Sequence, residues 1–489
     1  MELKDSGLLK TELFIAGHWT GAVSGATLEV DDPATGRVVA RVADGGAEDA
    51  RRAVAAAEAA WPSWRGLDAL ARADLLWAWH DALKAHRDDL AAIMTAEQGK
   101  PLKEAAGEID YGAAYIRWFA EEARRGYGEV IPPPAGDRRV IAIRQPVGVS
   151  AAITPWNFPN AMLARKLAPA LAAGCTTVCK PATQTPLSAL AMVELARRAG
   201  IPEGVINIVT GRDARAIGGV FTGSPAVRKL SFTGSTAVGR SLMAACADTV
   251  KKLSLELGGN APFIVFDDAD LETAVEALVR AKFRNAGQTC ICPNRVLVQT
   301  GIHDRCVEAL GARMAKLSVG PGTGEGVDYG PLIDDAAVAK VASLLEDARA
   351  KGARVLRGGG VIDGLGPRFF EPTLLDGATM AMKLGCEEIF GPVLAVMRFD
   401  TEAEGVAMAN DTEYGLAAYL CSRDQARCWR VAEALEAGIV GINEGLVSTE
   451  LAPFGGVKQS GIGREGARVG MAEYQETKYL CLGGLGAGS

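Results

Sequence analysis

The sequence predicts an α/β protein with two doubly wound domains and a small β element for oligomer contacts. Three observations lead there. A chain of 489 residues is too long for one hydrophobic core. From about residue 147, short β-branched runs alternate with helical segments, the pattern of a parallel sheet wrapped by helices. The pair Gly258-Gly259 then interrupts the pattern, which restarts beyond it.

Taken in order, amphipathic periodicity predicts helices over residues 47–60, 67–95 and 103–126. The run Pro132-Pro133-Pro134-Ala135-Gly136 breaks the chain. Strands are predicted over 147–153, 176–179, 205–209 and 229–232, in the usual frame of a dinucleotide-binding domain, then over 263–266, 295–299, 393–399 and 439–442. Residues 138–144 and 474–482 read as extended strands outside both sheets. Apolar edge strands need a partner, which assigns them to oligomer contacts.

Composition narrows the function. The apolar fraction of 48% and charged fraction of 23% are those of a soluble globular protein. A net charge of -7 without a Lys/Arg cluster argues against nucleic acid. The start Met1-Glu2-Leu3-Lys4-Asp5 lacks the marks of a signal peptide. The most apolar stretch, 161–179, is interrupted by Arg165 and Lys166. A cytoplasmic protein with no membrane partner is expected. Ten cysteines are too sparse for a disulfide scaffold, and four scattered histidines give no zinc pattern. Neither a metal site nor a Ser-His-Asp hydrolase is expected.

Three residues carry candidate chemistry. Cys290, in Gly287-Gln288-Thr289-Cys290, becomes a nucleophile if its pKa is controlled; alone it reads as a small core residue. Glu256 ends the apolar strand Leu253-Ser254-Leu255-Glu256, where burial would raise its pKa toward that of a general base; alone it reads as half of an ion pair. Asn157 lies between two prolines in Thr154-Pro155-Trp156-Asn157-Phe158-Pro159, fixed so that its amide could serve an oxyanion; alone it reads as a turn residue.

Together they resemble the aldehyde dehydrogenase superfamily over about residues 11–480. Pro155-Trp156-Asn157-Phe158-Pro159, Phe232-Thr233-Gly234-Ser235-Thr236, Leu255-Glu256-Leu257-Gly258-Gly259, Gly287-Gln288-Thr289-Cys290 and Glu388-Ile389-Phe390-Gly391-Pro392 occur in the family's order. The resemblance implies that Cys290 attacks an aldehyde, Asn157 and the Cys290 N–H hold the oxyanion, and Glu256 activates the water that hydrolyses the thioester. It implies residues 1–130 and 148–258 as the dinucleotide-binding domain, 259–447 as the catalytic domain, and 131–147 with 470–489 as oligomerisation strands of a homodimer or homotetramer.

For the cofactor, NADP or NAD, the resemblance implies Thr154, Trp156, Lys180, Gly234, Ser235, Glu388 and Phe390. Thr183 stands where strictly NAD-dependent members carry glutamate, so a 2′-phosphate is tolerated. Within the superfamily the chain resembles the succinate-semialdehyde dehydrogenase branch, which implies that Arg165 and Arg284, helped by Ser448, bind the substrate carboxylate. Glutarate semialdehyde is one methylene longer, and a broad-specificity enzyme is a further alternative. A CoA-acylating enzyme would not need Glu256. A non-catalytic structural relative would be expected to lose Cys290 or Glu256. Cys292 matches a second cysteine of that branch, implying a reversible redox lock with Cys290. If the segment is extended, their side chains face the same way.

Overall fold

A computed structural model describes residues 1–485. The last part of the predicted oligomer strand, 486–489, lies outside them. The first sheet has eight strands in the order Gly461–Ile462, Lys252–Glu256, Val227–Thr233, Val149–Ile153, Thr176–Lys180, Ile206–Ile208, Leu13–Ile15, His18–Thr20. Its interior is parallel, with helices Ala161–Ala173, Pro186–Arg198 and Ala214–Gly223 as crossovers. From Val149–Ile153 the chain builds outward to Ile206–Ile208, then returns to add Val227–Thr233 on the other side. That reversal opens a crevice at the carboxyl ends of the two strands, the place where such sheets bind ligands.

The second sheet has seven strands in the order Arg354–Arg357, Thr373–Asp376, Val393–Phe399, Pro293–Gln299, Ala261–Val265, Ala417–Cys421, Ile439–Ile442. All its pairs are parallel except the first. Its interior strands are buried on both faces, which is why they read as continuous apolar runs. Only Leu257 to Asn260 separate Glu256 from the first strand to enter this sheet.

Gln475–Leu482 pairs antiparallel with Arg139–Pro146, which pairs with Glu129–Ile131. The predicted extended strands thus form a small sheet of their own, and Val130 (79%) and Tyr479 (63%) on it are exposed.

One expectation changes. The predicted helix over 67–95 is two helices, Ala69–Ala85 and Arg87–Gln98, because His86 leaves the helical region at φ -106, ψ 19 and binds back to the Ala82 carbonyl through its ring. The amino-terminal strands also join the first sheet, Phe14 pairing with Ile208. No helix among the described residues is long and apolar enough to cross a membrane.

Candidate active site

The nucleophile loop begins where helix Leu271–Phe283 ends. Asn285 (φ 51), Ala286 (φ 56) and Gly287 (φ 77) all take left-handed backbone, costly for the first two and tolerated only where neighbours enforce it. Buried Gln288 does much of the enforcing. Its Oε1 accepts from Ile333 N–H at 2.9 Å, and its Nε2 donates to the Asn285 carbonyl at 3.1 Å. Cys292 N–H donates to the Thr289 carbonyl at 3.0 Å and closes a turn over Cys290. The Cys290–Cys292 segment is therefore a turn and not extended, so the same-face argument for the two sulfurs does not apply. Cys292 Sγ lies 3.1 Å from the Gly287 carbonyl and 3.6 Å from Lys282 Nζ.

Cys290 is partly open to a cavity of about 360 Å³. Burial and the nearby Glu388 and Glu256 carboxylates push its thiol up to about 12, against the opposing charge of Arg165. The resting Cys290 is thus a thiol, and it would need a base to become a nucleophile.

Asn157 follows strand Val149–Ile153 at the crevice. Its Nδ2 donates to the Gln288 carbonyl at 2.9 Å, which joins the first sheet's loop to the nucleophile loop. An amide nitrogen carries two N–H groups, so a second donor remains.

Glu256 ends its strand with Oε2 buried and unpartnered. Burial raises its pKa well above the ordinary carboxylate value, and the charge of Glu465 raises it further against Arg165 and Lys166. The surroundings are therefore less apolar than the strand's sequence implied. Glu465 lies 2.6 Å from Lys166 Nζ and 2.8 Å from Arg165 Nε. Burial works against its charge, but these cations hold its pKa low. Two buried carboxylates sharing one pair of cations are thus driven apart in pKa.

The cavity brings together Trp156, Asn157, Gly234, Ser235, Cys290, Glu388 and Phe390, all candidates from sequence. Ser235 caps helix Thr236–Cys246, whose free N–H groups suit a pyrophosphate. Thr154 and Thr233 bury hydroxyls without partners, and Thr233 lines the cavity. Glu388 Oε1 accepts from Gly259 N–H at 3.2 Å, and burial raises its pKa to about 7. Phe390, at φ 55, packs edge-on against Trp156 with ring centroids 5.5 Å apart. Lys180 ends its own strand, buried, with its pKa drawn down to about 8 by burial. Thr183 donates to the Gly211 carbonyl. These unpaired donors and this helix start fit a dinucleotide.

Arg165 is fully buried on helix Ala161–Ala173, its guanidinium 4.0 Å from the Phe454 ring centroid and its Nη2 without a partner. Arg284 stacks 4.7 Å over the Phe158 ring, with Glu104 Oε1 4.0 Å from its Nε. Ser448 lies half-buried in the irregular stretch after strand Ile439–Ile442. Sequence reasoning missed Glu465, Lys166, Gln288 and Asn285. Their partners lie up to 299 positions away, and no local pattern marks such pairs.

A crevice at a topological switch point, a helix start for phosphates and a partly open thiol are what a dinucleotide-dependent enzyme with a cysteine nucleophile would need. A family model, "Aldehyde dehydrogenase family", matches residues 19–480. A glutarate-semialdehyde dehydrogenase of Pseudomonas putida is 56% identical over 482 residues, covering 99% of this chain and 100% of its own. An NADP(+) succinate-semialdehyde dehydrogenase of Escherichia coli, GabD, is 55% identical over 483 residues, with the same coverage. The crystal structure of a succinate-semialdehyde dehydrogenase from Burkholderia pseudomallei superposes with a TM-score of 0.98 at 56% identity, over 99% of this chain and 100% of that one. The chain belongs to the aldehyde dehydrogenase family, as an NAD(P)-dependent member similar to succinate-semialdehyde dehydrogenases.

Proposed function

We propose that this enzyme oxidises a short aldehyde bearing a carboxylate, succinate semialdehyde to succinate, and that Arg165 and Arg284 select it. The observation that carries this reading is Arg165: a fully buried guanidinium with an unpartnered Nη2, close enough for its charge to bear on the Cys290 thiol. Leaving such a donor unmade is costly, and a ligand carboxylate would satisfy it. Glutarate semialdehyde is the second reading, since the 56% identity to the Pseudomonas putida enzyme equals that to the Burkholderia pseudomallei succinate-semialdehyde dehydrogenase. One methylene is worth only about 1–3 kcal/mol of discrimination.

In this mechanism Cys290 gives up its proton to the Glu256 carboxylate, which passes it to water, and its sulfur attacks the aldehyde carbon. The second Asn157 N–H and the Cys290 backbone N–H donate to the oxyanion. NAD(P), when bound, would supply the hydride acceptor, and Thr154, Trp156, Lys180, Gly234, Ser235, Glu388 and Phe390 would hold it. Glu256 then removes a proton from water as the water attacks the Cys290 thioester; the acid leaves and the thiol re-forms. Thr183 leaves room for a 2′-phosphate. The exposed three-stranded sheet is the surface through which copies associate.

The test compares succinate semialdehyde, glutarate semialdehyde and an uncharged aldehyde of similar length, each with NAD and NADP. Arg284→Met and Arg165→Met should raise the Michaelis constant about a hundredfold for the carboxylated substrates and little for the neutral one, the scale of a lost charge-assisted pair. Equal losses on all three would give the arginines a structural role and overturn the reading.

A further inference from the structure

Lys100 and Glu108 form an ion pair at 2.5 Å with both side chains essentially inaccessible. Taking two charges out of water is expensive, and well-packed apolar residues often serve stability as well. The remaining side-chain hydrogen bonds of the pair all run to one segment. Lys100 Nζ donates to the Asn157 carbonyl at 2.8 Å and lies 4.1 Å from the centroid of the Phe158 ring. Glu108 Oε1 accepts from the N–H groups of Asn160 and Ala161, at 3.0 and 3.1 Å, where helix Ala161–Ala173 begins. The Asn157 carbonyl takes a second hydrogen bond from Asn285 Nδ2 at 3.0 Å, and Asn285 is itself held by Gln98 at 2.9 Å. Gln98 in turn accepts from the Lys100 N–H.

The peptide of Asn157 is therefore gripped at its carbonyl by a buried ammonium, while its side-chain amide bridges to the nucleophile loop. We propose that Lys100 and Glu108 are positioning residues for acylation: they fix the Asn157 amide where the oxyanion forms and, through the same helix start, fix the Arg165 helix. Neither touches substrate. The inference rests on the oxyanion role proposed above for Asn157. It also accounts for the turn Glu97-Gln98-Gly99-Lys100-Pro101, whose left-handed Gly99 (φ 90) ends helix Arg87–Gln98 just before the lysine.

The experiment is a double-mutant cycle on the full-length enzyme, read as the rate of the first-turnover burst of reduced cofactor with a neutral aldehyde. Lys100→Met alone leaves Glu108 buried without its cation, so the working variant is Lys100→Met/Glu108→Gln. It keeps an oxygen acceptor for Asn160 and Ala161 and buries no charge. Its burst rate should fall about ten- to a hundredfold, the scale of a displaced rather than deleted donor, with cofactor affinity unchanged. In an Asn157→Ala background the same pair of changes should cost less than about threefold, because the group it positions is gone. An equal loss in both backgrounds would make the pair merely structural and overturn the proposal while leaving the oxyanion role standing. A burst rate unaffected by Asn157→Ala would instead remove the oxyanion role, and this proposal with it.

Discussion

The two large sheets offer the site opposite ends of their strands. In the first, Asn157, Lys180, Ser235 and Glu256 all sit at or just beyond carboxyl ends, as the rule for open α/β sheets requires. In the second, Cys290 precedes strand Pro293–Gln299 and Glu388 precedes Val393–Phe399, so these side chains stand at amino ends. The backbone records the difference. The first sheet's turns at 154–157 and 234–235 contain no positive φ, whereas the second sheet's loops hold Asn285, Ala286, Gly287 and Phe390 in left-handed conformation. A strand-to-helix turn supplies donors at little conformational cost. A loop entering a strand must be bent back to aim a thiol at the crevice, and buried Gln288 and its partners hold it there.

The largest effect should separate chemistry from cofactor binding. Cys290→Ala should abolish turnover while a fluorescence titration still shows the dinucleotide binding. Glu256→Gln should give one burst of reduced cofactor and then stall. Full turnover by either variant would break the assignment of thiol and base to their separate sheets.

Next in size is the strained loop itself. In Gly287→Ala the new methyl would fall on the Gly391 carbonyl oxygen at a φ of 77. We expect kcat to drop about a hundredfold, as a displaced reacting group does, with cofactor affinity kept. Ser235→Ala on the first sheet should do the reverse, changing the cofactor Michaelis constant a fewfold and sparing kcat. Matching profiles for the two variants would erase the contrast.

Thr183→Glu should lower the NADP/NAD ratio of kcat/KM about tenfold, corresponding to roughly 1.4 kcal/mol of repulsion at a 2′-phosphate. An unchanged ratio would remove position 183 as the selector.

The smallest expected effect is in pH, where the two sides should run in opposite directions. Lys180 carries its charge below its pKa of about 8 and loses it above, so cofactor affinity should weaken a fewfold as pH rises through that value. Acylation should instead quicken with pH over the same range, because the Cys290 thiol, held at about 12, yields more thiolate at each step. Lys180→Met should flatten the first trend and leave the second.

The sequence by itself determined the alternation of strands and helices, the break at Gly258-Gly259, the extended strands near residues 140 and 478 outside both sheets, and the motifs that hold Asn157, Ser235, Glu256 and Cys290. These are local properties, written as β-branched runs, helical periodicity and short motifs. Only the tertiary structure decided that Gly461 pairs with Glu256, that Glu465 takes Arg165 and Lys166, that Lys100 reaches Asn157, and that Cys292 faces Lys282 across a turn. Each of these depends on residues far apart in the chain or on a loop's exact bend. Burial, which turns an ordinary lysine or glutamate into a committed partner, exists only once the sheets have closed over it.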